Sequence, residues 1–117
     1  MKYIKFFEEI NINDTNLVGG KNSSIGEMIQ NLSTFGIIIP AGFAITSDAY
    51  WFYLKHNNLL EKLKIIMDQL LGSSDVKILQ SVGMQARELI LQGDFPQELS
   101  IEILKAYKEL SLRYNQQ

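Results

Sequence analysis

At 117 residues, 46% hydrophobic and 21% charged, the chain has the composition of one globular domain or a piece of one. That length buries about 60 to 70% of the unfolded surface around a single core. A net charge of −2, a pI near 5.3 and no run of like charges argue against a general nucleic-acid binder. No cysteine is present, which excludes disulfides and thiolate metal sites, and a single histidine argues against zinc.

The first nine residues, Met1-Lys2-Tyr3-Ile4-Lys5-Phe6-Phe7-Glu8-Glu9, carry acids where a signal peptide needs an apolar core, and no apolar run nears the length of a membrane span. Cytoplasmic residence is therefore expected, without a membrane partner. Tyr3 to Ile10 begins with alternation, Tyr3, Lys5 and Phe7 against Ile4, Phe6 and Glu8, and reads as a short strand. Asn11 to Asn16 is a polar turn in which Asn13, Asp14 and Thr15 can bond their own backbone.

After Lys21, the spacing of Ile25, Met28, Ile29, Leu32 and Phe35 predicts one buried stripe of an amphipathic helix, with Leu32 in it. Ser24 and Glu27 have capping-box spacing, and Asn22 or Ser23 are alternative caps. Gly36 stands where a left-handed helix terminus is wanted, and Gly26 in the first turn points to a close backbone approach or to simple fraying. Ile37 to Ile39, broken by Pro40 and Gly42, leads into a strand at Gly42 to Thr46.

A helix capped by Thr46, Ser47 or Asp48 then carries Tyr50, Trp51, Phe52, Tyr53 and Leu54, too many large groups for one stripe, so cover on two sides is expected. His56 falls at its C-terminal end. Three more helices follow. Leu59, Leu60, Leu63, Ile66, Met67, Leu70 and Leu71 form the first, stopped by Gly72. Ser73-Ser74-Asp75 caps the second, whose stripe is Val76, Leu79, Val82, Ala86, Leu89 and Ile90, ending at Gly93. Pro96 opens the third, with Leu99, Ile103, Tyr107, Leu110 and Tyr114 as its buried face and Leu104 flanking it. The fold class is α+β, mainly helical with two or three short strands.

The chemistry concentrates at Val18-Gly19-Gly20-Lys21-Asn22. Two glycines permit a tight turn, a lysine follows, and a helix opens, so unpaired amides and the positive end of the helix dipole would favour a phosphate beside Lys21. An ordinary turn with a solvated lysine has the same local pattern. This is not a Walker loop: Thr15 stands where a first glycine is required and Asn22 where serine or threonine is required.

Val18-Gly19-Gly20-Lys21-Asn22-Ser23-Ser24-Ile25-Gly26-Glu27-Met28, followed by Ile39-Pro40-Ala41-Gly42-Phe43-Ala44-Ile45-Thr46, resembles the N-terminal signature of phosphoenolpyruvate synthase, or pyruvate, water dikinase. Pyruvate phosphate dikinase and rifampin phosphotransferase share it. Many relatives read Pro-Pro-Gly-Phe where this chain has Pro40-Ala41-Gly42-Phe43. The resemblance implies that residues 1–117 are the incomplete N-terminal portion of an ATP-grasp-type nucleotide-binding domain. It implies ATP as ligand, with Lys21 on its phosphates and Gly19, Gly20 and Asn22 as backbone donors.

The family's phosphotransfer histidine, its pyruvate barrel, an Arg-Ser-Ser-x-Thr-x-Glu-Asp-like segment and metal-binding acids are all expected downstream of Gln117. His56 matches no catalytic position, so neither a catalytic nor a metal-ligating residue is assigned here. Magnesium is expected in the full-length parent alone, whose remaining domains are the expected partners. The parent would phosphorylate pyruvate with ATP through a phosphohistidine, while the isolated chain would be inactive. Two alternatives stay open: a non-catalytic helical interaction module, and the N-terminal part of a rifampin-phosphotransferase-like enzyme.

Overall fold

The computed structural model describes residues 1–72 and 74–115, so Ser73, one of the expected cap residues, lies outside the described residues. The chain divides into two compact units, Met1–Tyr50 with Gln97–Gln117, and Trp51–Pro96.

The first unit is built on a two-stranded antiparallel sheet. β1 (Ile4–Phe6) pairs with β2 (Phe43–Ile45), Ile4 opposite Ile45 and Phe6 opposite Phe43. The expected alternation holds, with Ile4 and Phe6 buried against Ala106 and flanked by Phe43 and Ile103. The strand is shorter than the alternation predicts. The Glu9 carboxylate accepts the Phe6 N–H at 2.9 Å and Ile10 N–H donates to the Phe7 carbonyl at 3.1 Å, which closes a 3-10 turn over Phe7–Glu9. A second 3-10 turn, Ile12–Asp14, is capped by Asn11, whose Oδ1 accepts the Asn13 N–H at 2.8 Å while Asp14 accepts the Asn11 N–H at 3.0 Å.

Two helices follow almost without a break, α1 (Thr15–Val18) and α2 (Gly20–Leu32), the latter extended by a 3-10 turn at Ser33–Phe35 that ends on left-handed Gly36. Two expectations for α2 are corrected. The helix starts at Gly20, so Ser24 and Glu27 form no capping box. Glu27 instead accepts the Ile12 N–H at 2.9 Å and the Asn31 amide at 3.0 Å. The buried face is Ser23 and Gly26, not the large apolar stripe: Met28 and Phe35 are exposed, and Ile25, Ile29 and Leu32 are half-buried.

Gly26 decides this rotation. A Cβ there would lie 2.7 Å from both the carbonyl carbon and the Cβ of Ile10, so the helix presents its smallest residue to that backbone. Ile10 is fully buried with Val18 and Ala44, and Gln30 Nε2 satisfies its carbonyl.

α3 (Ser47–His56) begins after buried Thr46, whose hydroxyl donates to the Lys2 carbonyl at 3.1 Å and whose carbonyl accepts the Ala49 N–H. α6 (Gln97–Asn115) buries Leu99 and Ala106, while Tyr107 and Tyr114, expected in its core face, are exposed. The Tyr114 hydroxyl donates to the Ala41 carbonyl at 3.1 Å. Arg113 donates to the Glu8 and Glu109 carboxylates, and its guanidinium carbon lies 4.4 Å from the Phe6 ring centroid. Those hydrogen bonds raise its pKa beyond the ordinary arginine value.

In the second unit α4 (Leu60–Asp68) packs against α5 (Val76–Leu91). Asp75 caps α5 through the Lys77 N–H at 2.8 Å, and Gly72 has φ 73. Leu54, Leu59, Val82 and Pro96 are buried. Pro96 directly precedes α6 and does not occupy its first position. Of the expected α5 stripe, Val76 and Leu79 are exposed, and the aromatic run of α3 is not covered on two sides, since Tyr50 and Trp51 are about half-exposed. Asn57 joins the end of α3 to the loop after α5, accepting the Asp94 N–H at 2.8 Å and donating to the Asp94 carbonyl at 2.9 Å. Gly93 lets them meet, because a Cβ there would fall 2.9 Å from Asn57 Cγ.

Gly26→Ala should lower the unfolding free energy by about 1 to 3 kcal/mol, the usual cost of overpacking. Leu104→Ala, at a 67% exposed position, should stay within about 0.5 kcal/mol. Urea denaturation followed by circular dichroism measures both, and a Gly26→Ala protein as stable as wild type would show that α2 does not rest on Ile10.

Candidate anion site at the start of helix α2

The site is the junction of α1 and α2. Gly19 has φ 87 and ψ 162, a region open in practice to glycine alone, and it lets one helix end and the next begin within a single residue. Its N–H donates to the Thr15 carbonyl at 2.8 Å and its carbonyl accepts the Ser23 N–H at 3.0 Å. The Ser23 bond is the first of α2. The amides of Gly20, Lys21 and Asn22 therefore precede the helical ladder.

Two hydroxyls hold this turn, that of buried Ser23 and that of exposed Thr15. Ser23, wholly inaccessible, has its Oγ 2.9 Å from the Gly20 carbonyl and 3.1 Å from Thr15 Oγ1, which is itself 3.0 Å from the Ile12 carbonyl. Two hydroxyl protons serve these three positions, so two of the bonds are made at once. Asn22 folds its side chain back, Nδ2 donating to the Val18 carbonyl at 2.9 Å.

The electrostatics are unlike those of the other long helices. Asp48 stands in the first turn of α3, Glu61 in that of α4 and Glu98 in that of α6, while Asp75 caps α5. α2 has no acid in its first turn and no side-chain cap, and Lys21 adds a positive charge to the positive end of its dipole. In isolation this opposes the helix. Among the described residues no carboxylate pairs with exposed Lys21.

Gly20 has no local reason to be glycine. It is helical, without a positive φ, and a Cβ on it would meet no atom within 4 Å. The open space over Gly19 and Gly20 is a cradle in which a ligand oxygen can approach the backbone.

Gly20, Lys21 and Asn22, the residues expected at the phosphate, form the first turn of α2. Gly19 is corrected as a donor, because its N–H is held by Thr15, and its part is conformational. Sequence reading named Ser23 as a cap and Thr15 as a turn residue, and missed that their hydroxyls meet. The available signal was Ser23, Gly26 and Gln30 at i, i+3 and i+7, a small and polar face opposite the apolar one. His56 ends α3 with its ring 6.3 Å from that of Phe52. Among the described residues no group of three or more histidines or acids is placed to hold a metal ion, and no helix is long and apolar enough to cross a membrane.

Gly19→Ala should cost about 1 to 3 kcal/mol through backbone strain. Gly20→Ala should be neutral or stabilising by up to about 1 kcal/mol. Equal losses in thermal or urea melts would contradict the division of labour between the two glycines.

Comparison with known proteins shows the family. The sequence profile of the family described as pyruvate phosphate dikinase, AMP/ATP-binding domain, matches residues 15–117. Phosphoenolpyruvate synthase of Helicobacter pylori is 45% identical over 115 residues, 98% of this chain and 14% of that protein. The Aquifex aeolicus phosphoenolpyruvate synthase is 42% identical over 111 residues, 95% of this chain and 13% of its own length. That of Escherichia coli is 37% identical over 108 residues, 92% and 14% respectively. The chain spans about one seventh of the relatives it matches.

Proposed function

The chain belongs to the pyruvate phosphate dikinase AMP/ATP-binding domain family, and we propose that it forms the phosphate-binding opening of an ATP site in a phosphoenolpyruvate-synthase-like enzyme. Residues 1–117 would be the N-terminal portion of an ATP-grasp-type domain, acting in the cytoplasm and completed by the other domains of the parent. The observation that carries this reading is the uncompensated start of α2: no acid, no side-chain cap, a lysine in the first turn and an unneeded glycine beside it. A bound phosphate is the anion this helix end is missing.

The chain's own groups then have defined tasks. The Gly20, Lys21 and Asn22 amides donate to phosphate oxygens, the Lys21 ammonium neutralises one of them, and Gly19 fixes the turn. Ser23 and Thr15 hold the amides in place before the ligand arrives. The parent would transfer phosphate from ATP to pyruvate by way of a phosphohistidine. No residue of this chain is assigned to that transfer, and magnesium is assigned to the parent alone.

Affinity of the isolated chain follows from the count of contacts. A charge-assisted hydrogen bond contributes about 1.5 to 3 kcal/mol and a helix N-terminus about 0.3 to 1 more. Against the loss of ligand freedom these hardly reach the roughly 4.1 kcal/mol of a millimolar Kd. ATP titration followed by amide chemical shifts should show changes centred on Gly19 to Ser24, at millimolar affinity or weaker, and Lys21→Ala should abolish them. Purified protein should form no phosphoenolpyruvate from ATP and pyruvate. Equal shifts in both proteins would leave Lys21 a solvated charge and favour a non-catalytic interaction module.

A further inference from the structure

The outward face of α2 carries the large apolar residues. Met28, Leu32 and Phe35 follow one another at helical spacing, opposite the Ser23 and Gly26 face that is already packed. Met28 and Leu32, with Ile12, border a groove of about 310 Å³, completed by Ser24, Glu27 and Asn31. Of its polar side chains, Glu27 and Asn31 are already engaged: Glu27 accepts from the Ile12 N–H and from Asn31, and Asn31 also donates to the Glu27 carbonyl at 2.9 Å. A polar ligand would find little left to bond there, whereas apolar side chains would fit. Beyond the groove Phe35 is 78% and Ile38 93% exposed. Large apolar residues repeated along one helix face signal a partner.

The relatives matched by this chain are about sevenfold longer, and the match lies in their N-terminal part. We infer that the face from Ile12 and Met28 through Leu32 to Phe35 is the seat of the polypeptide that follows the matched region in phosphoenolpyruvate synthases. Met28 lies eight residues along α2 from Gly20, about 12 Å at the helical rise. A segment seated there brings its own side chains up to the proposed phosphate site, and so completes it. The inference rests on the reading of the chain as part of a longer enzyme, and not on ATP contacting Lys21.

Two experiments test it. In the isolated chain, Met28→Lys with Phe35→Lys should leave the circular dichroism and melting temperature unchanged, and both proteins should be monomers by light scattering. Unfolding of the variant would make the face the chain's own core, and a wild-type dimer lost in the variant would make a second copy the occupant. Either result overturns the proposal.

The second experiment replaces the matched region of the Helicobacter pylori enzyme with this chain. The chain has no cysteine, so Phe35→Cys gives a unique label in it, followed in the chimera by mass spectrometry of that peptide. Maleimide labelling should slow on the order of tenfold or more from the isolated chain to the chimera. The two lysine substitutions should lower the chimera's melting temperature. Unchanged labelling overturns the proposal, as does a chimera that fails to fold, because the seat would then not fit the segment that follows. Protection retained in a chimera whose ATP contact proves insensitive to Lys21→Ala sinks the phosphate reading alone. Protection lost while that contact persists sinks the docking surface alone.

Discussion

The contact between Gly26 and Ile10 governs the first unit. Two backbones meet there with no side chain between them, and the order of the surrounding segment follows from that approach. Ser23 one turn earlier reaches Thr15, Glu27 receives the Ile12 N–H, and Gln30 one turn later covers the Ile10 carbonyl. A single face of α2 thus holds residues 10 to 15. Ile10 in turn closes on Val18 and Ala44, which links the helix pair to the strand that follows Gly42. Gly42 makes room for a side chain instead, since a Cβ on it would fall 3.0 Å from Phe7 Cζ.

This packing orders the loop proposed to meet a phosphate. The α2 terminus is set by the Ser23 and Thr15 hydroxyls and by Gly19. Amides ordered in advance bind an anion without the entropic cost of ordering them at the moment of binding. The same arrangement leaves Lys21 next to like-signed partial charge, a local conflict of the kind found at functional sites. α3, α4, α5 and α6 carry the ordinary acidic starts, so the conflict is a property of α2 and not of the composition of the chain.

Folding and the proposed docking divide the surface of α2 between them. Its small face is used internally, and its large apolar face is turned outward together with Phe35, Ile37 and Ile38. The same outward placement recurs at Tyr107 of α6 and, in the other unit, at Val76 and Leu79 of α5. Apolar residues at helical spacing identify a helix correctly, but the spacing does not say whether the partner is in the same chain or another.

The sequence by itself determined helices α2 to α6, the two strands, the cap at Asp75, the left-handed Gly36, the stop at Gly72 and the glycine-lysine opening of α2. These depend on local properties: φ preference, side-chain bonds to nearby amides, and the period of apolar residues. Tertiary structure alone decided which face of α2 is buried, that Gly19 is a hinge and not a donor, that Ser23 and Thr15 hold the turn, and that Gly93 is glycine because Asn57 and Tyr53 crowd it. Each of these turns on a contact between residues distant in sequence or on the direction of one N–H. A pattern reading weighs side-chain size and polarity, and it sees neither the Ile10 backbone that makes the smallest face of α2 the buried one nor the Thr15 carbonyl that takes up the Gly19 amide.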